Sequence, residues 1–388
     1  MKYFLIAGEP SGDLHGSNLM KGLLKSDPEA EFFFWGGDKM AEVGGVENLG
    51  LHYTKSSFFG FVQVLFNIVT IIRQLFLCKR HIREFAPDVV ILIDYAGFNL
   101  KIAKYAKSLK IKTFYYIAPK VWAWKESRIK KIRKYVDELF VIFPFEVEYF
   151  AKARIRGHYE GNPLKDSIGA KIDNMPSRAS FLCENNLLER PLIALVSGSR
   201  ASEIKANLPL MRHIAEKEEF NNYQFVVAGV DWLSQDIYDK WLEGSNIAYV
   251  EGQTYELLYH SEAALVTSGT ATLETALIGT PQVVLFRLPW WQVMLKPIFL
   301  SIKYFSLVNI NLGREAVREI LQSSLNRSEG VKALKRVLVN GPDRAAVLES
   351  YAELDAMIGN VGASDRFAQK MVDLLNAADD RERRRFRR

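Results

Sequence analysis

KYFLIAGEPSGD, residues 2–13, is the stretch that decides the fold of this chain. Its first six residues, Lys2 to Ala7, are mostly apolar and predict a buried strand, and a helix with a leucine-rich face follows. Two glycines, a serine and the carboxylates Glu9 and Asp13 therefore lie where a strand meets a helix. Open α/β sheets bind ligands at that place, and the free N–H groups at the start of the helix point to it. The alternative is a tight turn in which Asp13 caps the helix.

Apolar runs alternate with amphipathic stretches along the rest of the chain. The candidate strands are Tyr3–Ala7, Glu31–Trp35, Val89–Ile93, Thr113–Ile117, Leu139–Phe143, Leu192–Val196, Gln224–Ala228, Ile247–Val250, Ala263–Thr267 and Gln282–Phe286. Continuous apolar strands separated by helices predict parallel sheets that are covered on both faces. The polar, irregular stretch at residues 165–190 divides the set in two. We therefore predict an α/β protein with two Rossmann-like domains that face each other across a cleft.

The expected first domain covers residues 1–170, and the second covers residues 171–349. A helical segment at residues 350–376 is expected to return to the first domain, and an Arg-rich tail occupies residues 377–388. We expect this tail to be solvated and disordered, and attraction to a phosphate-bearing surface is the alternative. The sequence has no zinc-ligand spacing and no aromatic–basic signature of RNA binding, so nucleic acid is a poor candidate partner.

The location predicted from the sequence is the cytoplasm. The two cysteines, Cys78 and Cys183, form no CxxC pair, which fits a reducing compartment. The first apolar run is too short for a signal peptide. The six histidines form neither an HxH nor an HExxH pair, so we expect no metal site.

The segment from Phe58 to Leu77 is nearly all apolar and departs from the soluble pattern. Its polar residues include Gln63, Asn67, Thr70 and Gln74, which form one narrow stripe on a helix. One interpretation is a core helix that covers a sheet. The other is a helix that enters one leaflet of a membrane through residues such as Phe61, Leu65 and Phe66. Lys79, Arg80 and Arg83 would then meet anionic headgroups. The aromatic stretch from Trp290 to Phe305 allows the same two interpretations, as interdomain core or as a lipid-handling surface.

A carboxylate also follows the apolar strand Val89–Ile93. Asp94 lies at the same ligand edge of the first domain as Glu9, because parallel strands end at one edge of their sheet. This position suits a general base. A helix cap is the alternative for Asp94.

Two strand ends in the second domain are rich in small residues. The first is Ser197, Gly198, Ser199 and Arg200, which suits a phosphate held by loop N–H groups and a guanidinium. Arg200 would instead pair with Glu203 in the alternative interpretation. The second is Ser268, Gly269, Thr270, Ala271, Thr272 and, two residues on, Glu274. Glu274 would bind a ribose diol or, alternatively, compensate the helix dipole.

With these motifs in place, the chain resembles the lipid-A-disaccharide synthases, which are hexosyltransferases of the two-Rossmann-domain GT-B architecture. The resemblance extends over nearly the whole length. It rests on AGEPSGD (residues 7–13), ID with FN (93–94 and 98–99), APKVWAW (118–124), SGSR (197–200), SGTATLE (268–274), and VN with GRE (308–309 and 313–315). Many members have Asp-Ala-Pro-Asp-Phe-Asn where this chain has DYAGFN at 94–99, which makes Asp94 the stronger catalytic candidate. Many also have Gly-His-Pro-Leu where this chain has GNPL at 161–164, so Asn162 is expected to make a polar contact and not to act in catalysis.

The resemblance implies an inverting transfer from a UDP-activated diacylglucosamine to diacylglucosamine 1-phosphate, at the inner face of the cytoplasmic membrane of a Gram-negative bacterium. No cofactor is expected, because the UDP-sugar is itself the donor. Asp94 would be the base, with Glu9 as its alternate or as the group that orients the acceptor. On the acceptor and sugar side, the expected contacts are Ser11, Gly12 and Asp13. Ser199, Arg200 and the Ser268–Thr270 N–H groups would hold the diphosphate, Glu274 would hold the ribose, and Asn309, Arg314 and Glu315 would face the cleft. The other expected substrate-binding residues are Ser197, Gly198, Ala271 and Thr272. Another GT-B nucleotide-sugar enzyme with a soluble substrate, or a non-catalytic peripheral membrane protein, remains as an alternative.

Overall fold

The computed structural model describes residues 1–55, 68–119, 127–286, 303–321 and 327–386. It contains two compact units: Met1–Asp166 together with Asn360–Arg388, and Ser167–Gly359. The chain returns to the first unit at Asn360, later than the expected residue 350. The reason is that the helix Arg344–Ile358 packs within the second unit, against the helices Leu307–Leu312 and Thr270–Ile278.

The first unit is built on a seven-stranded sheet in the order β3-β2-β1-β4-β5-β6-β7. Its strands are Lys2–Ala7 (β1), Glu31–Gly36 (β2), Leu49–His52 (β3), Val89–Ile93 (β4), Lys112–Tyr116 (β5), Glu138–Val141 (β6) and Gly157–Tyr159 (β7). Every strand pair is parallel. The main helices are Pro10–Ser26, Asp38–Gly44, Ile68–Phe85, Ala96–Ser108, Ser127–Tyr135, Pro144–Lys152 and Ala363–Phe386. The helix Pro163–Ile172 begins in the first unit and ends in the second. Chain order reverses between β1 and β4, so this is where a doubly wound sheet binds its ligand.

The second unit has a six-stranded parallel sheet in the order β10-β9-β8-β11-β12-β13. Its strands are Leu192–Val196 (β8), Gln224–Gly229 (β9), Ala248–Glu251 (β10), Ser261–Thr267 (β11), Gln282–Phe286 (β12) and Glu319–Leu321 (β13). Its helices are Arg178–Glu184, Ala201–Ala215, Asp236–Leu242, Thr254–His260, Thr270–Ile278, Leu307–Leu312, Arg327–Val337 and Arg344–Ile358. Here the order reverses between β8 and β11, so the loops after these two strands lie at the ligand edge.

All the predicted strands are present, and the predicted fold class is confirmed. The central strands β4 and β8 are buried along their whole length, as continuous apolar runs require. The sequence did not predict β3, β7 and β13. Each has only three or four residues and lies at the edge of its sheet, and none has a continuous apolar run.

The last helix, Ala363–Phe386, packs on the helix Pro10–Ser26, which confirms the expected return to the first unit. The two helices approach closely at Gly22, where an added Cβ would lie 2.9 Å from the Cβ of Ala368. Asp166 fixes the start of this last helix, because its carboxylate accepts the N–H groups of Gly362 and Ser364 at 2.6 and 2.8 Å. The helix continues through Phe386, so the expectation of a disordered tail is wrong up to that residue.

Candidate functional site

The ligand edge of the first unit brings the Glu9 and Asp94 loops together. Ala7 at the end of β1 pairs with Ile93 at the end of β4, so the two loops leave the sheet side by side. Gly8 packs directly on the ring of Tyr95, since an added Cβ would lie 2.4 Å from its Cγ. Burial, followed by the charge of Glu9, raises the pKa of Tyr95 to about 12. The loops that carry the two predicted catalytic carboxylates therefore meet at Tyr95, at the switch point of the sheet.

Asp94 lies in a strained turn that other side chains hold in place. Asp94 and Tyr95 have φ angles of 42° and 45°, in the left-handed region that non-glycine residues seldom adopt. The buried Asn99 donates its amide N–H to the carbonyls of Asp94 and Ile93 at 2.8 and 3.2 Å. The hydroxyl of Tyr115 also donates to the carbonyl of Asp94. Each left-handed residue costs about 1–3 kcal/mol, and such strain concentrates at functional sites.

Asp13 has a structural role that the sequence did not predict. It is 2% exposed and does not cap its own helix. Its carboxylate accepts the N–H groups of Gly37, Lys39 and Met40 at 2.7, 3.1 and 3.2 Å, and thereby caps the helix Asp38–Gly44. Burial raises the pKa of Asp13, and the three N–H donors oppose that shift. Its oxygens bind the loop after β2, and the expected contact of Asp13 with the acceptor stays a prediction.

Ser11 and Gly12 remain candidates at the first edge. Ser11 is exposed on the first turn of the helix Pro10–Ser26. Gly12 packs close to β1, where an added Cβ would lie 3.2 Å from the Cβ of Ala7. Asn162 is fully buried and makes the polar contacts expected of it: it donates to the carbonyl of Ile142 at 3.0 Å and accepts the N–H of Leu164 at 3.0 Å.

At the ligand edge of the second unit, the loop after β8 turns at Gly198, which has a φ of 122°. The carboxylate of Glu203 accepts the Ser199 N–H at 3.0 Å and the Arg200 guanidinium at 2.9 Å. Pairing of Arg200 with Glu203, the alternative considered from the sequence, is thus present. Both side chains are substantially exposed, so the pair contributes little to stability, and an anion with more charge would compete for the same donors.

Asn207 connects the two loops of this edge and was missed by the sequence analysis. It is buried, and its amide donates to the hydroxyl of Thr267 at 2.9 Å and to the carbonyl of Ser197 at 3.4 Å. It therefore fixes the end of β11 against the loop that follows β8. An Asn in the middle of an amphipathic helix is the only signal that could have indicated this role.

The loop after β11 is open at one residue and engaged at others. Among the described residues other than its chain neighbours, none places an atom within 4 Å of a Cβ added at Gly269, so the backbone is open to a ligand there. Ser268 donates to the carbonyl of Phe305 at 2.8 Å, while Thr270 is exposed. Thr272 is fully buried and accepts the N–H of Leu307 at 3.1 Å, so it stabilises the fold, and its expected contact with the substrate stays a prediction.

Glu274 is half-buried on the first half of the helix Thr270–Ile278. It accepts a hydrogen bond from Tyr255, and burial followed by the charge of Glu274 raises the pKa of the Tyr255 hydroxyl. The bond orients the Glu274 carboxylate from the neighbouring helix Thr254–His260.

Asn309, on the helix Leu307–Leu312, makes a set of hydrogen bonds that the sequence did not predict. Asn309 is fully buried; its amide donates to Val317 and Glu319, both at 2.8 Å, and its oxygen accepts the N–H groups of Ala316 and Val317 at 2.7 and 2.9 Å. The side-chain amide of Asn309 thus uses both N–H groups and its oxygen within the second unit, and its expected contact with a ligand stays a prediction.

Arg314 and Glu315, which follow the helix Leu307–Leu312, also have partners within the second unit. Arg314 donates to Ser350 at 3.0 Å and pairs with Glu353, and Glu315 pairs with Arg318 at 2.9 Å. All of these charged groups are substantially exposed, so the predicted substrate contacts of Arg314 and Glu315 stay predictions.

The helix Ile68–Phe85 buries part of its polar stripe and exposes several apolar side chains in its first half. Gln74 is buried and donates to the carbonyl of Lys55 at 2.7 Å, and Cys78 and Ile82 are buried below it. The exposed face carries apolar side chains, Ile68, Val69, Ile72 and Phe76. Lys79 lies 5.6 Å from the ring centre of Phe76. Cys78 and Ile82 belong to the core cluster of the first unit, and Leu75, Leu77 and Phe85 pack against it. The second half of the helix therefore covers the sheet, as the core-helix interpretation predicts, whereas the exposed apolar side chains of its first half fit the membrane interpretation.

Several predicted features fall outside the described residues: Phe61, Leu65, Phe66, the VWAW run at 121–124 and most of the Trp290–Phe305 stretch. Within the part of the chain that the structure describes, no helix is both long and apolar enough to span a bilayer. Within the same residues, no three His, Cys, Asp or Glu side chains converge as metal ligands.

Comparison with known proteins adds to this geometry. A family model described as lipid-A-disaccharide synthetase matches residues 3–358. A lipid-A-disaccharide synthase from Trichlorobacter lovleyi is 32% identical over 378 residues, which cover 96% of this chain and 97% of the relative. Another, from Myxococcus xanthus, is 33% identical over 380 residues, with 96% and 97% covered.

Solved structures show the same fold at low sequence identity. S. aureus MnaA in a structure with UDP has a TM-score of 0.68 at 14% identity, with 97% of each chain covered. UDP-GlcNAc 2-epimerase from Neisseria meningitidis, bound to UDP-GlcNAc, has a TM-score of 0.61 at 13% identity, with 96% of this chain and 100% of that chain covered. At such identity the likeness concerns the fold alone. The family match, in contrast, spans nearly the whole sequence, and the chain belongs to the lipid-A-disaccharide synthase family of GT-B glycosyltransferases.

Proposed function

We propose that this enzyme transfers the sugar of UDP-2,3-diacylglucosamine to the 6-hydroxyl of 2,3-diacylglucosamine 1-phosphate, giving the β-linked lipid A disaccharide 1-phosphate and UDP. The observation that carries this proposal is the strained Asp94 turn beside the Glu9 loop, in a chain of this family. The reaction inverts the anomeric centre in a single displacement, which needs a base and stabilisation of the leaving diphosphate. No cofactor takes part.

Asp94 is the proposed base. Its carboxylate accepts the proton of the acceptor hydroxyl as the oxygen attacks the anomeric carbon. Asn99 and Tyr115 hold the Asp94 carbonyl, and this support keeps the turn, and with it the carboxylate, in one direction. Glu9, on the adjacent loop, orients the acceptor and is the alternate base. Ser11 and Gly12 contribute the polar surface and the backbone space beside it.

The ligand edge of the second unit is the proposed donor site. The diphosphate accepts hydrogen bonds from Arg200, the Ser199 N–H and the N–H groups near Gly269, which stabilise the charge that develops as UDP leaves. The diphosphate must displace Glu203 from Arg200 and Ser199, which the exposure of that pair allows. Glu274, oriented by Tyr255, accepts from the ribose hydroxyls. The nucleotide-bound relatives in fold support a UDP ligand for such a pair of units.

The outward apolar face of the helix Ile68–Phe85 is the proposed membrane contact. Both proposed substrates carry long acyl chains that partition into a bilayer. Ile72 and Phe76 enter the headgroup region, while Lys79, Arg80 and Arg83 attract anionic lipids. The proposed location is therefore peripheral, on the inner face of the cytoplasmic membrane.

The test is mass spectrometry of products from the purified chain, anionic vesicles and the two proposed substrates. A disaccharide phosphate together with stoichiometric UDP is the expected result. Release of UDP without disaccharide, or turnover with a soluble acceptor and no dependence on lipid, would contradict the proposal. The variant Asp94→Asn serves as the control for chemistry at the proposed site.

A further inference from the structure

Trp232 is an exposed aromatic residue that nothing in the preceding assignments uses. It lies in the turn that follows β9, where the Leu233 N–H bonds to the carbonyl of Val230 at 3.3 Å. Its side chain is 54% exposed, which is unusual for the largest apolar side chain. It stands at the carboxyl edge of the second sheet, the same edge as the proposed donor site.

The indole is fixed against the proposed diphosphate loop. Its N–H donates to the carbonyl of Ser199 at 3.1 Å. Glu203 accepts the N–H of the same residue, so Ser199 is held on both sides. This bond sets the edge of the indole toward Ser199 and leaves much of the ring surface open to solvent.

The space beside Trp232 also belongs to the ligand edge. Because β9 lies between β8 and β10, the Trp232 turn is flanked by the Ser197–Arg200 loop and the loop after β10. That second loop is joined to the end of β9 by the Gly252 N–H, which bonds to the carbonyl of Gly229 at 2.9 Å. Of the residues that the structure describes, apart from its chain neighbours, Asp231 alone would meet a Cβ added at Gly252, at 3.9 Å, so the backbone there is open.

We propose that Trp232 is the stacking platform for the nucleobase of the donor nucleotide. This inference rests on the proposed function, which supplies a nucleotide with its diphosphate at Ser199 and Arg200. A pyrimidine is a flat ring tethered one ribose from that diphosphate, and it offers a face to any aromatic surface at the same edge. Stacking of a base on an aromatic side chain lowers the dissociation constant about 5- to 100-fold.

The experiment measures binding of UDP and of inorganic pyrophosphate to the full chain by calorimetry. Trp232→Ala should lower the affinity for UDP about tenfold or more and leave the affinity for pyrophosphate unchanged, because pyrophosphate has no base. Trp232→Phe keeps a ring but lacks the N–H, and it should bind UDP within a few-fold of wild type. Tyr259→Ala removes another exposed aromatic side chain, at the far end of the helix Thr254–His260, and should change the affinity for neither ligand.

Two results would overturn the stacking role while leaving the proposed function intact. One is unchanged UDP affinity in Trp232→Ala. The other is an equal loss of affinity for UDP and for pyrophosphate in both Trp232 variants, since that would mean that the indole only holds the Ser199 loop. If the wild-type chain binds pyrophosphate but not UDP, both the proposed donor and the stacking role are contradicted.

Discussion

The outward apolar face of the helix Ile68–Phe85 predicts a large effect on lipid binding from a variant that barely affects folding. The variant is Val69→Ser, Ile72→Ser and Phe76→Ser. These side chains are 59%, 47% and 68% exposed. Complete burial of such a side chain is worth about 1.5–3 kcal/mol, so each should contribute about 1–2 kcal/mol when its exposed part enters the lipid. The sum, about 3–5 kcal/mol, corresponds to a partition coefficient about two to three orders of magnitude lower.

Co-sedimentation with anionic vesicles, at several lipid concentrations, measures this coefficient. The remaining binding should depend more steeply on salt, because Lys79, Arg80 and Arg83 then supply most of it. The matched control is Val46→Ser with Leu188→Ser and Val361→Ser, which also removes three exposed apolar side chains. Equal binding by the wild type and the helix variant, or an equal loss in the control variant, would refute the assignment of this face to the membrane.

Three further predictions concern the site and its support. Asp94→Asn should lower kcat about 10²- to 10⁴-fold while the dissociation constant of UDP stays the same, and normal turnover would exclude Asp94 as the base. His15 is buried, and burial lowers its pKa to about 4 from 6.5. The native state therefore binds its proton less readily than the unfolded chain, so stability is full above pH 6.5 and falls as the pH drops toward 4, by up to about 1.4 kcal/mol per pH unit. Urea unfolding at pH 7 and pH 5 should show a smaller pH effect in His15→Asn, and an identical effect would contradict this origin. Asn309→Ala should cost about 2–4 kcal/mol of unfolding free energy by leaving several buried groups unpaired, whereas a loss below about 0.5 kcal/mol would contradict the observed network.

The interior of both sheets could be predicted from the sequence because it depends on a local property. A strand with neighbours on both sides and helices on both faces must be apolar at nearly every position, and β4 and β8 show that pattern. The edge strand β3 is half-buried along its length, so its composition resembles that of a loop. Its pairing with β2 comes from the tertiary position of the chain and has no local signal.

The site could be predicted as a set of loops but not as a set of contacts. Parallel strands end at one edge of a sheet, and this rule suffices to bring Glu9 toward Asp94. The partner of each side chain depends on which distant loop approaches it. Asp13 binds N–H groups 24 to 27 residues along the chain, and its acidic character alone predicted a ligand contact as readily as a cap. The same limit applies to Thr272, whose hydroxyl is taken by a residue 35 positions away.

The two ligand edges place different residue types in the left-handed conformation. This difference favours the proposal that the first edge carries the base and the second holds the diphosphate. At Asp94 the left-handed conformation is occupied by a residue with a side chain, and Asn99 and Tyr115 offset its strain. Glycine at this position would relieve the strain but would remove the carboxylate. The conformational strain is therefore consistent with a position where a side chain must accept a proton. At Gly198 the left-handed conformation is occupied by glycine, and an added Cβ would lie 2.5 Å from the Cβ of Glu203. A loop that binds an anion through its N–H groups needs no side chain there. The first edge is thus suited to proton transfer and the second to holding a diphosphate, and exchanging the two residue types would disable both.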